Sequence, residues 1–270
     1  MAEDRTADGP IGLFDSGVGG GTVLVHLRRE LPAEDLLLLA DQARCPYGPR
    51  SHEELRSIAA SNTRWLLERG AKLIVVACNT ASAAALRWLR GEFPGTPFVG
   101  MVPAVKPAVQ QTRSRVVGVL ATPATIEGGL LREVVAQWAD GAEVIAQPCP
   151  GLAELVEAGV PDEREADALL ERYLAPLVAA RADVVVLGCT HYPYLLPRIQ
   201  RLVGPGITVI DAAPAVAAQA RRVLDERGLR RSDQGRVGRT IYATTGDPAR
   251  FAELLARLPL PPGEIVAARV

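Results

Sequence analysis

Two cysteines stand in nearly identical sequence contexts. Cys78 follows the β-branched run Leu73–Ala77, and Cys189 follows the run Asp183–Gly188. Each run is long enough for a buried strand. Open α/β sheets bind ligands where a strand ends and a helix begins, and the helix dipole there favours a thiolate. The repeated context indicates two thiols that face one site, although a buried and inert cysteine is the ordinary alternative for either one.

Polar residues accompany the two cysteines at the predicted strand ends. Any one of them alone is explained as a helix cap. They indicate a site only because they all lie at strand ends beside a cysteine or at the equivalent position. His191 lies two residues after Cys189, where it could relay a proton to that thiol, whereas His26 and His52 are expected at the surface. The other polar residues at these strand ends are Asp15, Ser16, Asn79, Thr80 and Thr190.

A glycine-rich turn at residues 17–21 invites a nucleotide-binding interpretation. It does not match a P-loop, because no lysine precedes Thr22. It does not match a dinucleotide fingerprint either, because Thr22 stands in place of the third glycine. Asp41, at the end of the second strand, keeps a ribose-binding role weakly open. A tight structural turn is the plain alternative, and the interpretation we favour is a turn whose N–H groups receive a small carboxylate.

Strands and helices alternate along the chain, which predicts an α/β fold with mainly parallel sheets. The pattern restarts near residue 116. Gly12 and Gly118 differ by 118 − 12 = 106 positions, and the two cysteines by 189 − 78 = 111, which indicates an internal duplication. We expect one domain from residues 1–103 together with 213–270, and a second from residues 104–212. Two such domains would place both sets of loops around one cleft.

Several element boundaries can be read locally. Ser51 and Glu54 form a capping-box pattern that predicts a helix over 51–70, and Asp247-Pro248 predicts the start of another. A single helix is expected from about residue 125 to 139. A proline-rich stretch at 103–107 is interpreted as a domain boundary.

Bulk properties exclude several classes of function. The formal net charge is −1, so the protein as a whole has no positive electrostatic field that would attract nucleic acid or an anionic membrane. No segment reaches the roughly 18 apolar residues of a membrane span. Residues 1–10 lack the features of a signal peptide and are expected to be disordered, so we expect a cytoplasmic protein. The spacing of Cys45, Cys78, Cys149 and Cys189 argues against a zinc site, and a reducing compartment argues against disulfides.

Short motifs throughout the chain resemble those of the glutamate racemases, within the aspartate/glutamate racemase superfamily. They occur in the family's order over nearly the whole chain, at Phe14–Gly20, Ala43–Gly48, Ala77–Ala83, Thr122–Thr125, Leu155–Glu157, Gly188–Pro193 and Thr244–Asp247. The resemblance implies two similar α/β domains related by a pseudo-twofold axis, with the active site in the cleft between them. Gly21, Gln42 and Cys45 depart from the family's usual residues, and Cys45 would put a third thiol near the cleft.

The resemblance also implies a mechanism without metal or cofactor, in which two cysteines exchange protons with the substrate Cα. Cys189 would deprotonate L-glutamate and Cys78 would deprotonate D-glutamate. Asp15 would assist Cys78, while His191 and Glu157 would assist Cys189. Glutamate would be bound by Asp15, Ser16, Pro46, Tyr47, Gly48, Asn79, Thr80, Thr122, Thr125, Thr190 and His191. From its own position near a helix end, Glu157 would be assigned to solvent.

The biological role implied is the supply of D-glutamate for peptidoglycan synthesis, by a homodimer. An aspartate racemase or a racemase of another amino acid is the nearest alternative, because pocket size cannot be read from the sequence. A non-catalytic role such as binding to DNA gyrase, known for some family members, is an alternative of another class.

Overall fold

The computed structural model describes residues 6–160, 162–232 and 235–270. The chain forms two compact units. The first unit comprises the chain up to Met101 together with Ala213–Val270, and the second comprises Val102–Ala212. No helix in the described part of the chain combines the length and the apolar character needed to cross a membrane.

The first unit is built on a parallel sheet with the strand order β10-β9-β2-β1-β3-β4 in its described residues. Its strands are β1 (Ile11–Asp15), β2 (Leu36–Ala40), β3 (Leu73–Val76), β4 (Phe98–Gly100), β9 (Thr240–Thr244) and β10 (Glu264–Ala267). Its helices are α1 (Gly20–Glu30), α2 (His52–Leu67), α3 (Asn79–Glu92), α10 (Ala213–Glu226) and α11 (Pro248–Leu255). The three central strands β1, β2 and β3 are completely buried, as expected of parallel strands covered on both faces.

The second unit has a smaller parallel sheet with the order β6-β5-β7-β8 in its described residues. Its strands are β5 (Val116–Ala121), β6 (Glu143–Pro148), β7 (Val184–Gly188) and β8 (Thr208–Asp211). Its helices are α4 (Val105–Gln111), α5 (Pro123–Glu127), α6 (Gly129–Trp138), α7 (Leu152–Glu157), α8 (Glu163–Ala179) and α9 (Leu196–Val203).

The same four-stranded pattern occurs in both units. The order β2-β1-β3-β4 of the first unit corresponds to β6-β5-β7-β8 of the second. The register corresponds as well, because Gly12 pairs with Ile74 and Gly118 pairs with Val185, and 185 − 74 is again 111. The prediction of two similar α/β domains with mainly parallel sheets is therefore confirmed.

Gly12 and Gly118 allow a helix to pack directly on the central strand of each sheet. A Cβ at Gly12 would lie 3.3 Å from the Cβ of Leu66 on α2 and 2.9 Å from that of Ala71. A Cβ at Gly118 would lie 2.5 Å from Cδ1 of Leu177 on α8. Interiors packed this densely leave no space for the extra methyl group, which explains why both strands carry glycine at this register position.

Most local boundary predictions hold. The Ser51 side chain accepts a hydrogen bond from the Glu54 N–H, and the Glu54 side chain bonds back to Ser51, which completes the predicted capping box. Asp247 caps α11, with Pro248 as its first residue. Two differences concern the second unit. The single helix expected to end near 139 is divided into α5 and α6 by the extended backbone of Gly128, and the proline-rich boundary segment forms α4.

The expectation of a disordered start is wrong for residues 6–10. The Gly9 N–H donates to the Thr6 carbonyl, and the buried Lys72 ammonium donates to the Ala7 carbonyl at 2.6 Å. A buried ammonium needs such acceptors, because burying its charge without partners is costly. Residues 1–5, which belong to the same expectation, lie outside the described residues.

Candidate active site

In the first unit, three strand ends meet at one edge of the sheet. The Asp41 N–H donates to the Asp15 carbonyl at 2.9 Å, and the Ala77 N–H donates to the Phe14 carbonyl at 2.9 Å. These backbone bonds extend the pairing of β1 with β2 and β3 beyond the strands themselves. They bring Asp15, Asp41 and Cys78 to the same edge, where open α/β sheets bind ligands.

Cys78 is the N-cap residue of α3. Its Sγ accepts a hydrogen bond from the Ala81 N–H at 3.5 Å, and the residue is 5 % exposed. The helix dipole and this N–H both favour negative charge on the sulfur. Cys78 therefore lies at a strand end and a helix N-terminus, and its role as a base stays a prediction.

Asp15 and Ser16 lie at the end of the central strand β1 and are both buried. The Ser16 hydroxyl donates to Asp15 Oδ1 at 3.0 Å, and the Gly17 N–H donates to the same oxygen at 3.3 Å. The glycine-rich turn that follows thus binds a carboxylate, but this carboxylate belongs to the chain itself.

Asn79 begins α3 directly after Cys78 and is 3 % exposed. Within the described residues, neither its amide nitrogen nor its amide oxygen has a hydrogen-bond partner. A buried polar group without a partner costs roughly 1–3 kcal/mol, so such groups occur mainly where a ligand or ordered water supplies the missing bonds. Thr80 follows as the second residue of the helix and is buried too.

The segment Pro46–Gly48 follows a short 3₁₀ helix, Gln42–Arg44, which replaces part of the loop expected there. Tyr47 is buried in the same apolar cluster as Cys78. Its hydroxyl donates to Asp41 Oδ2 at 2.5 Å and accepts from Asn62 Nδ2 at 3.0 Å. Burial first, and then the charges of Asp41 and Cys78, raise the pKa of Tyr47 well above its usual value, so it remains a neutral hydrogen-bond donor.

Asp41 has a different role from the one considered in the sequence. The sequence suggests only a ribose-binding acid at this position, but the buried Asp41 carboxylate is occupied by side chains of the first unit. Arg44 Nε lies 2.9 Å from Oδ1, and the Thr245 hydroxyl donates to the same oxygen at 2.9 Å. The sequence could not show this arrangement, because Thr245 is 204 residues away from Asp41.

In the second unit, Cys189, His191 and Glu157 form a chain of contacts. Cys189 is 7 % exposed, and its Sγ lies 3.7 Å from His191 Nδ1. His191 Nε2 lies 2.6 Å from Glu157 Oε1. Glu157 ends α7, and the side chain that the sequence alone would assign to solvent is largely buried beside the imidazole.

The charge state of His191 follows from these contacts. Complete burial by itself would lower the pKa of the imidazole, but the hydrogen bonds and charges of Cys189 and Glu157 outweigh burial and raise the pKa well above its usual value. His191 is therefore an imidazolium at neutral pH. An adjacent cation is one of the features that stabilise a cysteine thiolate.

Three threonines of the second unit, Thr122, Thr125 and Thr190, lie at the same edge of its sheet as Cys189. Thr122 follows β5 and caps α5, and its hydroxyl lies 2.9 Å from that of Thr125. Thr190 follows Cys189 and is buried. Hydroxyl groups at these positions are suited to hold a small polar ligand beside the sulfur.

Cys149 is a buried residue near this site that sequence reasoning did not single out. Its N–H donates to the Ala121 carbonyl at 2.9 Å, so it follows β6 as Asp41 follows β2. Burial, with a smaller contribution from Cys189, raises the pKa of the Cys149 thiol to about 12. Cys149 is therefore an uncharged thiol at neutral pH. Position at a strand end is the signal that could have identified it.

The remaining sequence predictions concern surface positions and the other thiol. His52 is exposed, as expected, whereas His26 is partly buried. Cys45 is partly buried ahead of Pro46, and the described cysteines are free thiols. Its predicted position near a cleft remains a prediction.

Comparison with known proteins agrees with this arrangement. The family model of Asp/Glu/Hydantoin racemase matches residues 23–220. A glutamate racemase of Roseiflexus sp. (strain RS-1) is 60 % identical over 252 residues, which cover 93 % of each chain. The crystal structure of glutamate racemase isoform RacE1 from Bacillus anthracis superposes with a TM-score of 0.87 at 31 % identity, covering 97 % of this chain and 98 % of the other.

A third relative was solved with ligands. Glutamate racemase of Escherichia coli, in complex with L-glutamate and the activator UDP-MurNAc-Ala, has a TM-score of 0.83 at 30 % identity and covers 96 % of this chain and 97 % of that one. The matches extend through both units and include both cysteine-bearing strands. This chain belongs to the Asp/Glu/Hydantoin racemase family, and within that family it groups with the glutamate racemases. It is an amino-acid racemase, an isomerase.

Proposed function

We propose that this enzyme interconverts L-glutamate and D-glutamate by a two-base mechanism with Cys189 and Cys78 as the bases. The observation that supports it best is the equivalent placement of the two cysteines. Each is a nearly buried thiol within two residues of the end of a corresponding strand, β3 beside β1 for Cys78 and β7 beside β5 for Cys189. Inversion at a carbon atom needs two groups on opposite faces of that atom, one to accept a proton and one to donate a proton.

The proposed reaction balances without a cofactor. The Cys189 thiolate takes the Cα proton of L-glutamate, and the electrons of the C–H bond remain on the substrate as a carbanion stabilised by its carboxylate. The Cys78 thiol then delivers its S–H proton to the opposite face of the same carbon. D-Glutamate leaves with Cys189 as thiol and Cys78 as thiolate, and the reverse reaction restores the starting state.

The neighbouring groups have roles that fit this scheme. The His191 imidazolium, held by Glu157, stabilises the Cys189 thiolate. Asp15 lies on the strand next to Cys78 and is proposed to assist that thiol. The residues proposed to bind the carboxylates and amine of the substrate are Ser16, Pro46, Tyr47, Gly48, Asn79, Thr80, Thr122, Thr125 and Thr190. The unsatisfied amide of Asn79 supports its part in this set, because a ligand would complete its hydrogen bonds.

Glutamate is proposed as the substrate because the relatives described above, at 30–60 % identity, are glutamate racemases. The biological role that follows is the supply of D-glutamate for peptidoglycan in the cytoplasm, and we propose a homodimer as the working form. Light scattering of the purified protein tests the dimer. A panel of L-amino acids that includes aspartate tests the substrate.

The mechanism is tested by racemisation of L-glutamate in D₂O without added pyridoxal phosphate or metal. With two different bases, deuterium should appear in the D-glutamate formed, while L-glutamate recovered at early conversion keeps its Cα protium. Cys78→Ser and Cys189→Ser should each reduce racemisation by at least about a thousandfold, because a hydroxyl is a far weaker acid than a thiol.

Cys149→Ser is the matched control. It also removes a buried thiol at a strand end of the second unit, but this thiol stays protonated at neutral pH and has no part in the scheme. It should retain activity within a few fold. Full activity in Cys78→Ser or Cys189→Ser, or rapid deuterium exchange into recovered L-glutamate, would rule the two-base scheme out.

A further inference from the structure

We propose that Asp41 is a positioning residue for racemisation, because its buried carboxylate holds the segment Pro46–Gly48 in place for the substrate. This inference rests on the proposed function, in which that segment binds glutamate. Asp41 itself is not expected to touch the substrate, because both of its carboxylate oxygens are already occupied by side chains of the first unit.

Four side chains donate to this one carboxylate. Oδ2 accepts from the Tyr47 hydroxyl at 2.5 Å and from Asn62 Nδ2 at 3.5 Å. Oδ1 accepts from Arg44 Nε and from the Thr245 hydroxyl, both at 2.9 Å. Hydrogen bonds to a charged acceptor are stronger than neutral ones, so the carboxylate fixes the geometry of all four partners.

The partners come from three separate parts of the first unit. Arg44 ends the 3₁₀ helix and also donates to Asn62 Oδ1 at 2.8 Å, which ties that helix to α2. Thr245 follows β9, and its hydroxyl accepts from the Ala43 N–H at 3.0 Å. The short segment between β2 and Tyr47 is therefore held on both sides, although the segment itself contains little regular structure.

Through Tyr47, the network shares a buried cluster with the proposed catalytic sulfur. Tyr47 belongs to the same buried cluster as Cys78, and the Asp41 N–H donates to the carbonyl of Asp15. A rearrangement around Asp41 would thus move the substrate-binding segment relative to both Cys78 and Asp15. Displacements of about 1 Å in substrate-positioning groups can cost two orders of magnitude in rate.

A purely structural role is the competing explanation, and Asp35 provides the matched control. Asp35 and Asp41 flank the same strand β2, at opposite ends about 20 Å apart. Asp35 is also well bonded, since it accepts from the Arg239 N–H at 2.6 Å and from Arg236 NH2 at 2.9 Å. It has no place in the proposed site, so Asp35→Asn measures the effect of destabilising this strand alone.

The experiment measures KM and kcat for both enantiomers, together with Tm, in Asp41→Asn, Thr245→Val, Thr245→Ser and Asp35→Asn. Asp41→Asn and Thr245→Val should raise KM for L- and D-glutamate by about tenfold or more, the equivalent of one lost hydrogen bond to a charged group. Thr245→Ser keeps the hydroxyl and should restore the wild-type KM. Asp35→Asn should lower Tm and leave KM unchanged.

An unchanged KM in Thr245→Val, in an enzyme whose wild type racemises glutamate, would overturn the positioning role and leave the proposed function standing. The Thr245 pair decides this even if Asp41→Asn does not fold. A wild-type protein that racemises no glutamate would instead overturn the proposed function, and the positioning role with it.

Discussion

Gly70 and Arg181 occupy the same position in the two units. Each follows the helix that packs on the central strand, each has a left-handed backbone with φ of 75° and 59°, and the two differ by 111 residues. In both units the residue after this position bonds back to the preceding helix. The Ala71 N–H donates to the Leu66 carbonyl, and the Ala182 N–H donates to the Leu177 carbonyl. The turn demands the same backbone, yet only one unit has glycine there.

This difference predicts opposite effects of exchanging the residues. Gly70→Arg should destabilise the protein by about 1 kcal/mol and Arg181→Gly should stabilise it by up to about 1 kcal/mol, because only glycine adopts positive φ without steric cost. Nothing lies within 4 Å of a Cβ built at Gly70, so a clash does not account for the loss. Urea unfolding measures both variants. Equal shifts in the same direction would contradict the explanation.

Gly118 and Leu177 should be energetically coupled. Gly118→Ala is expected to cost about 1–3 kcal/mol, since the new Cβ would press on Leu177 Cδ1, and Leu177→Ala about 2–5 kcal/mol. The double variant should lose at least about 1 kcal/mol less than the sum, because the second change makes room for the first. Leu174→Ala, buried on the same helix, is the control and should combine additively with Gly118→Ala. Additivity with Leu177→Ala would show that the glycine is not required by this contact.

The raised pKa of His191 predicts its titration. The chain has three histidines, so His26→Gln and His52→Gln leave one imidazole to follow by NMR. We expect it to remain protonated well above pH 6.5, and Glu157→Gln should lower its pKa because the partner carboxylate is removed. Glu154→Gln, on an exposed position of the same helix α7, should change it little. A neutral imidazole at pH 7 in the parent protein would contradict the charge state on which the role of His191 depends.

The same shift sets a stability dependence on pH. The folded-state pKa of His191 lies above the unfolded value near 6.5, so the stability contributed by its charged form is complete below about pH 6.5. This contribution declines as the pH rises through the folded-state value. The unfolding free energies of the parent protein and of His191→Gln should be measured from about pH 6 upward. The difference between the two proteins should be constant below about pH 6.5 and should become smaller as the pH rises above that value.

Asp183 should govern part of the acid sensitivity. Burial alone would raise the pKa of this carboxyl, but hydrogen bonds from Thr112, Arg113 and Ser114 outweigh it and lower the pKa to about 2. The stability it contributes is present above the unfolded pKa of about 3.9 and is lost as the pH falls through about 2. The unfolding free energy of the parent protein relative to Asp183→Asn should therefore decline between about pH 4 and pH 2.

Asp225→Asn is the control for this measurement. Asp225 also has a charged partner, because it forms an ion pair with Arg230 at 3.1 Å. Both side chains are largely exposed, however, and such pairs contribute little to stability. The unfolding free energy of Asp225→Asn relative to the parent protein should therefore change little between about pH 4 and pH 2. A change as large as that of Asp183→Asn would show that the hydrogen bonds to Asp183 do not cause the acid sensitivity.

Local sequence features determined much of this fold. Strand β7 is recognisable because a parallel strand covered on both faces must be apolar throughout, and α2 because its capping box satisfies its own first N–H groups. Gly128, by contrast, divides the expected single helix of the second unit into two. A glycine that interrupts a helix and one that is tolerated within it look alike in the sequence, and packing decides between them.

The sequence by itself determined which residues end the strands, and hence that Cys78 and Cys189 hold equivalent places, because this information lies in a few consecutive residues. Only the tertiary structure decided which side chains meet at those ends. Glu157 reaches His191 across 34 residues, and Thr245 reaches Asp41 across 204. Such contacts depend on strand order and register, which bring together segments that share no local pattern.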